Sequence, residues 1–346
     1  MADRIAKPGC INVLSIDGGG IRGIIPATIL AAVERSVGRR LHEVFDLISG
    51  TSTGGIIAAA IGAGAKQGQA YEPSELVDLY VKNGPTIFRK NLLTPLRAVF
   101  MPKYSPKPLE RVLQKFFGAA ELRSAKTPLL ISSYDLETQK PFFFKSHKIA
   151  SDATYNWHLW RVARSTSAAP TYFPPFRLQG DKADYALVDG GIYVNNPAVA
   201  AYAEARNIYH DATEFLVVSA GTGDRPDAIA YRKAKTWGLL GWARLIVPVI
   251  MDSVSEAVDY ELDTILGKAN HYRLQPELTT ASSEMDNVSS ANLEQLQIEG
   301  QEFVQKNAEA IEQICALLKP GRGSDLPGIG EPVPPRPPRT GTSLDK

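Results

Sequence analysis

INVLSIDGGGIRGIIPATILAAV, residues 11–33, decides how the chain is to be read. The aliphatic run 11–16 is bounded by glycine and reads as a buried strand. Residues 17–23 form a loop. Pro26 falls where proline is tolerated at a helix start, and 27–37 continues with helical periodicity. The pattern then repeats. VFDLIS at 44–49 reads as a second strand, GTSTGG as a turn, and 56–63 as an alanine-rich helix. Strand, loop, helix, strand, turn, helix predicts an α/β domain.

Working outward, 74–83 and 106–117 have the spacing of amphipathic helices, and 84–105 shows no clear period. Strands are predicted at 129–133 and 141–145 with a turn at 135–140, and a short helix at 157–164 that runs into STSAAP. A strand at 185–188, a helix at 196–206 and a buried strand at 214–219 follow. From Pro320 the chain becomes PGRGSDLPGIGEPVPPRPPRTGTSLDK, rich in Pro and Gly and poor in apolar residues. Such a segment cannot bury enough surface to offset its ordering entropy. One domain over 1–319 and a disordered tail over 320–346 are therefore expected. PVPPRPP could form polyproline II, although a plain solvated tail is the simpler reading.

Composition excludes several classes. The 346 residues carry 38 basic and 37 acidic side chains, so net charge gives no long-range pull toward a nucleic-acid polymer or an anionic membrane. Two cysteines, Cys10 and Cys315, make neither a disulfide framework nor a thiolate zinc site. No apolar run approaches the ~20 residues that span a bilayer. The expected location is cytoplasmic, with peripheral contact at a membrane surface as the further option.

Three constellations carry chemistry. Gly50-Thr51-Ser52-Thr53-Gly54 is a G-x-S-x-G between a predicted strand and a predicted helix. That context lifts a serine hydroxyl off a sheet on a tight turn, with the following helix N-terminus favouring negative charge. Asp17-Gly18-Gly19-Gly20-Ile21-Arg22-Gly23 offers backbone N–H groups for an oxyanion, with Arg22 adding charge or ordering the loop. Gly18, Gly20 and Gly23 also satisfy G-x-G-x-x-G, the turn of a dinucleotide-binding fold, for which Asp46 could serve as ribose ligand. On this loop alone the two readings are comparable. Asp189-Gly190-Gly191, followed by Asn195-Asn196-Pro197, presents a carboxylate that could act as a base once burial lifts its pKa. A triad in the α/β-hydrolase order needs a histidine after the acid. Only His210 and His271 follow Asp189, and neither stands in a glycine-rich or loop-tip context, so a dyad fits better.

Taken together, DGGGIRG at 17–23, GTSTG at 50–54 and DGG at 189–191, in that order, resemble the patatin-like phospholipase family. RSTSAAPTYFPP at 164–175 and YSPKPLERVLQKFFG at 104–118 also look like family segments. The resemblance covers 11–220 well and 221–319 loosely. It implies a three-layer α/β/α sandwich with a central, mostly parallel sheet, related to the catalytic domain of cytosolic phospholipase A2. It implies Ser52 as nucleophile, Asp189 as base, and the amides of Gly18, Gly19 and Gly20 as oxyanion donors. The substrate would be a membrane phospholipid or another fatty ester, with no metal or cofactor. Some bacterial relatives are switched on by cyclic nucleotides, so a small-molecule activator is an expectation by analogy. WGLLGWARLIVPVIM at 237–251 and LLTPLRAVFM at 92–101 are candidate lid or interfacial segments. The plainer reading of the first is a core helix broken at Pro248. The competing functions are a nucleotide- or NAD-binding enzyme using 18–23, and a non-catalytic storage or interaction protein that keeps the fold.

Overall fold

The computed structural model describes residues 9–89, 101–224, 229, 231–238, 241–242 and 246–318. An eight-stranded sheet forms the centre. Its core is β1 (Cys10–Ile16), β2 (Leu47–Gly50), β3 (Leu129–Asp135), β7 (Glu214–Ala220) and β8 (His271–Leu274), all mutually parallel. Three antiparallel strands complete one side: β4 (Lys140–Lys145), β5 (Phe176–Gln179) and β6 (Asp184–Asp189). The strands are hydrogen-bonded in the succession β5-β6-β3-β2-β1-β7-β8, and β4 also pairs with β3.

The central strands read as continuous apolar runs because both faces are covered. Alternate residues serve opposite layers. Leu14, Ile16, Ile48, Ile131, Leu216 and Val218 join the core under α1 (Ile24–Val37) and α2 (Thr53–Gly62). Val13, Leu47, Leu130 and Val217 join a smaller core under α6 (Ala198–Ile208) and α7 (Ile246–Leu266). The first layer also holds α3 (Pro73–Ile87), α4 (Pro106–Phe117), α5 (Leu159–Thr166), α8 (Ser290–Lys306) and α9 (Ala308–Leu318), from which Tyr80, Leu113, Val162, Leu296 and Ile314 reach that core. This is the expected three-layer arrangement.

Local chemistry sets the helix ends. Gly38 closes α1 in the left-handed region at φ 71°. A reciprocal Glu72–Glu75 capping box opens α3, with Pro73 in its first turn. Two expectations change. VFDLIS is not one strand: Leu41–Val44 is a single helical turn, and β2 begins only at Leu47. Asp46 makes the junction, its Oδ2 accepting the Asn12 amide at 2.8 Å. Helix α7 is not broken at Pro248, which falls in its first turn, where proline is tolerated. The 320–346 tail and most of 92–101 lie outside the described residues. Among the described residues, no helix is long and apolar enough to cross a membrane.

Candidate active site

Strand β2 ends at Gly50, and the chain turns through Thr51 and Ser52 into α2. Ser52 sits at φ 55°, ψ −122°, a region few non-glycine residues occupy. Such backbone costs about 1–3 kcal/mol and persists only where its surroundings enforce it. Here the Ser52 amide donates to Thr166 Oγ1 at 2.9 Å, and Thr51 Oγ1 donates to the Val194 carbonyl at 2.7 Å. Gly54 lets α2 start hard against the end of β1. A β-carbon there would lie 2.1 Å from the Ile16 carbonyl oxygen and 2.6 Å from that of Asp17. The serine is buried with its side chain on an apolar cavity.

Strand β3 brings the acid to the serine. One of its edges carries β4; the other is shared by two strands that approach from opposite ends. Gly50, the last residue of parallel β2, pairs with Ile131. Asp189, the last residue of antiparallel β6, pairs with Ser133. The two chain ends therefore meet two β3 residues apart, about 7 Å along a strand. Asp189 is buried, and its Oδ1 accepts the Gly191 amide at 2.8 Å. Burial pushes its pKa up to about 7, with the nearby Ser52 hydroxyl and the Gly191 amide pulling it down. Oδ2 forms no hydrogen bond among the described residues, so the Ser52 contact is proximity rather than a formed bond. No histidine intervenes: Glu204 pairs with His147, Asp211 with His210, and Asp263 with His271.

Facing the serine, the glycine loop has two carbonyls held from behind. Thr222 Oγ1 donates to the Gly18 carbonyl at 2.9 Å. Arg22 donates through its backbone amide to the Gly19 carbonyl at 3.2 Å, and its guanidinium reaches the Gly223 carbonyl at 3.0 Å. In a trans peptide the N–H points opposite its C=O. Fixing the Gly18 and Gly19 carbonyls therefore aims the Gly19 and Gly20 amides the other way, and these amides donate to no other segment among the described residues. Gly18 departs from expectation: its amide donates to the Asn195 carbonyl at 3.1 Å, so two of the three expected donors remain. Arg22 is an anchor of the loop.

Asp17 belongs to the scaffold. It is buried, and its Oδ2 receives Arg273 Nη2 from β8 at 2.6 Å, while Arg273 Nη1 donates to Ser219. The dinucleotide reading does not survive this geometry. A β-carbon on Gly20 would lie 2.3 Å from the Met285 carbonyl oxygen, so a neighbouring segment already covers the loop. Asp46, its ribose ligand, is tied to Asn12 at the far end of β1 from the loop.

Beside Ser52 and Asp189 opens a cavity. Its walls are almost wholly apolar and include Ile56, Ile87, Phe88, Leu109, Phe173 and Met251. The model of the patatin-like phospholipase family matches residues 14–202, which hold all of these groups but Met251. The chain belongs to that family. It is 34% identical to Patatin-17 of Solanum cardiophyllum over 329 residues, covering 86% of this chain and 84% of that one. Patatin-like protein 2 of Arabidopsis thaliana is 33% identical over 341 residues, covering 86% and 83%. Among solved structures, VipD from Legionella pneumophila is similar at 14% identity and TM-score 0.38, covering 87% of this chain and 68% of that one.

In this patatin-like chain, two residues at the site carry no local sequence signal: Thr222 and Arg273 act across 204 and 256 positions. Asn195 did have a signal, in the NNP that follows DGG, but no assigned role. Among the described part of 237–251, Met251 lines the cavity while Trp242, Ile246 and Ile250 are exposed. Trp242, Ile246 and Ile250 are therefore not the side chains of a buried core helix.

Proposed function

We propose that this chain is a lipid acyl hydrolase in which Ser52 is the nucleophile and Asp189 its base. Asp189 takes the Ser52 proton as Oγ attacks a fatty ester carbonyl, and the Gly19 and Gly20 amides receive the oxyanion. The alcohol or lysolipid leaves with the proton from Asp189. Water, deprotonated by Asp189, then releases the fatty acid and restores the serine. The observation that carries this reading is a buried carboxylate with a pKa near 7 beside a serine on a strained elbow, with no histidine between them. A base poised near neutrality is half ionised at working pH and still basic enough to draw a proton in the transition state.

The apolar cavity supports an acyl chain as the group bound beside the dyad. The exposed Trp242, Ile246 and Ile250, next to cavity-lining Met251, support peripheral contact with a lipid surface. The test is fatty-acid release from p-nitrophenyl esters and mixed phospholipid vesicles, by the unmodified protein and Ser52→Ala, with and without EDTA. The expected result is activity that survives EDTA and disappears in Ser52→Ala. Activity retained by Ser52→Ala refutes the nucleophile, and activity lost to EDTA refutes the metal-free mechanism.

A further inference from the structure

Asn195 has one buried polar atom that the scheme above leaves without a purpose. The residue is 5% exposed. Its carbonyl accepts the Gly18 amide, and its Nδ2 donates to Ser255 Oγ at 3.0 Å. Ser255 Oγ donates its own proton to the Met251 carbonyl at 3.1 Å. A hydroxyl has one proton to give, so Ser255 must accept from Asn195. That fixes the side-chain amide with nitrogen toward α7 and oxygen away from it. Oδ1 is then a buried acceptor with no partner among the described residues, as is Asp189 Oδ2. An unpaired buried acceptor in a native fold calls for an explanation.

Asn195 Oδ1 and the Asp189 carboxylate flank the same pair of glycines, Gly18 and Gly191. A β-carbon on Gly18 would stand 2.4 Å from Asn195 Oδ1 and 3.2 Å from the Ser52 β-carbon. One on Gly191 would stand 2.9 Å from Met251 Cε, 3.1 Å from Asp189 Oδ1 and 3.4 Å from Asn195 Oδ1. Glycine at both positions adds no side chain between amide, acid and nucleophile, where the Met251 methyl is the neighbouring apolar group. A water molecule has two protons and needs two acceptors to be oriented.

We infer that Asn195 Oδ1 and the Asp189 carboxylate together hold the water that hydrolyses the Ser52 acyl-enzyme. The inference rests on the Ser52–Asp189 reading and concerns its second half alone. One water proton passes to Asp189 as the water oxygen bonds to the acyl carbon. The other stays hydrogen-bonded to Asn195 Oδ1. The tetrahedral intermediate collapses, the bond from carbon to Ser52 Oγ breaks, and Asp189 returns its proton to Oγ. The products are the free acid and the resting serine. Acylation involves no water, so Asn195 belongs to deacylation.

Rapid-mixing kinetics with p-nitrophenyl butyrate separate the two halves. In Asn195→Ala, the expected result is a p-nitrophenol burst near one equivalent with a rate constant within about threefold of the unmodified protein, then a steady state slower by roughly tenfold or more. Intact mass should show the butyryl adduct accumulating. Ser255→Ala leaves the Asn195 side chain in place but frees the amide to turn over, and should slow the same step by a smaller factor. Burst and steady state falling together, or neither changing, overturns the inference while leaving the dyad in place. A folded Ser255→Ala that loses acylation also overturns it. Failure of the unmodified protein to acylate Ser52 at all, read by a fluorophosphonate probe and by mass, would overturn the dyad reading and this inference with it.

Discussion

Asp189→Asn is expected to stabilise the folded protein above neutral pH while removing its activity. The carboxyl has a pKa near 3.8 in an unfolded chain and about 7 in the site, raised by burial. Below about pH 4 it is protonated in both states, and acid and amide forms differ little. Between about 4 and 7 the unfolded chain ionises while the folded chain still holds its proton. The stability associated with the protonated native acid is lost across that window, and above pH 7 the fold carries an ionised buried carboxylate. At about 1.36 kcal/mol per pKa unit, the three-unit rise corresponds to a ceiling of about 4 kcal/mol. Asparagine can accept the Gly191 amide without carrying a charge, so it escapes the penalty. The assay is urea unfolding of both proteins from pH 4 to 9. The stability difference should be near zero at pH 4, grow in favour of Asn through pH 7, and level off. In parallel, kcat/KM of the unmodified protein should rise with pH to a plateau with a midpoint near 7. A difference flat in pH, or one that favours aspartate at pH 8, would refute the claim that burial raises this acid.

Thr222→Val removes the hydroxyl that holds the Gly18 carbonyl at similar volume. It should lower kcat about tenfold, about 1.4 kcal/mol, with KM little changed, and Thr222→Ser should recover most of the loss in steady-state assays. Gly54→Ala presses a methyl group onto the Ile16 and Asp17 carbonyl oxygens; a melting temperature lower by several degrees, on the order of 1–3 kcal/mol, is expected by calorimetry. Ser52→Ala, in the vesicle assay described above, should leave no hydrolysis.

Much of this was legible in the sequence wherever the signal was local. Strand β1, helix α1 and the elbow announce themselves through an aliphatic run, a proline at a helix start and a glycine pattern. Ser52 and Asp189 were readable for the same reason, because each chemistry demands small neighbours next to it in the chain. What was hidden depended on distant partners. Strands β5 and β8 are four residues each, too short for a period to show, and exist because β6 and β7 supply their hydrogen bonds. Helix α2 begins at Thr53, three residues before the aliphatic run suggested, because Gly54 and Gly55 act there as points of close approach and not as a turn. The commitment of the Gly18 amide to Asn195 has no trace in the sequence.

The register of β3 ties the fold to the chemistry. Because β2 and β6 share one edge, the pairings Gly50 with Ile131 and Asp189 with Ser133 set the separation of Ser52 and Asp189. A slip of one residue in β6 would turn the Asp189 side chain to the opposite face of the sheet. Several hydrogen bonds guard against it at that point: Ser133 Oγ donates to the Val188 carbonyl at 2.6 Å, Tyr193 to the Ser133 carbonyl at 3.0 Å, and the Asp189 amide to the Ala168 carbonyl at 3.1 Å. Each restrains the backbone rather than the carboxylate. The scaffold thereby places a charge it would otherwise expel from the core, and among the described residues no hydrogen bond is made to Oδ2. The cost in stability and the raised pKa of the carboxyl have one origin, the burial of Asp189, so a change that relieves the first should lower the second.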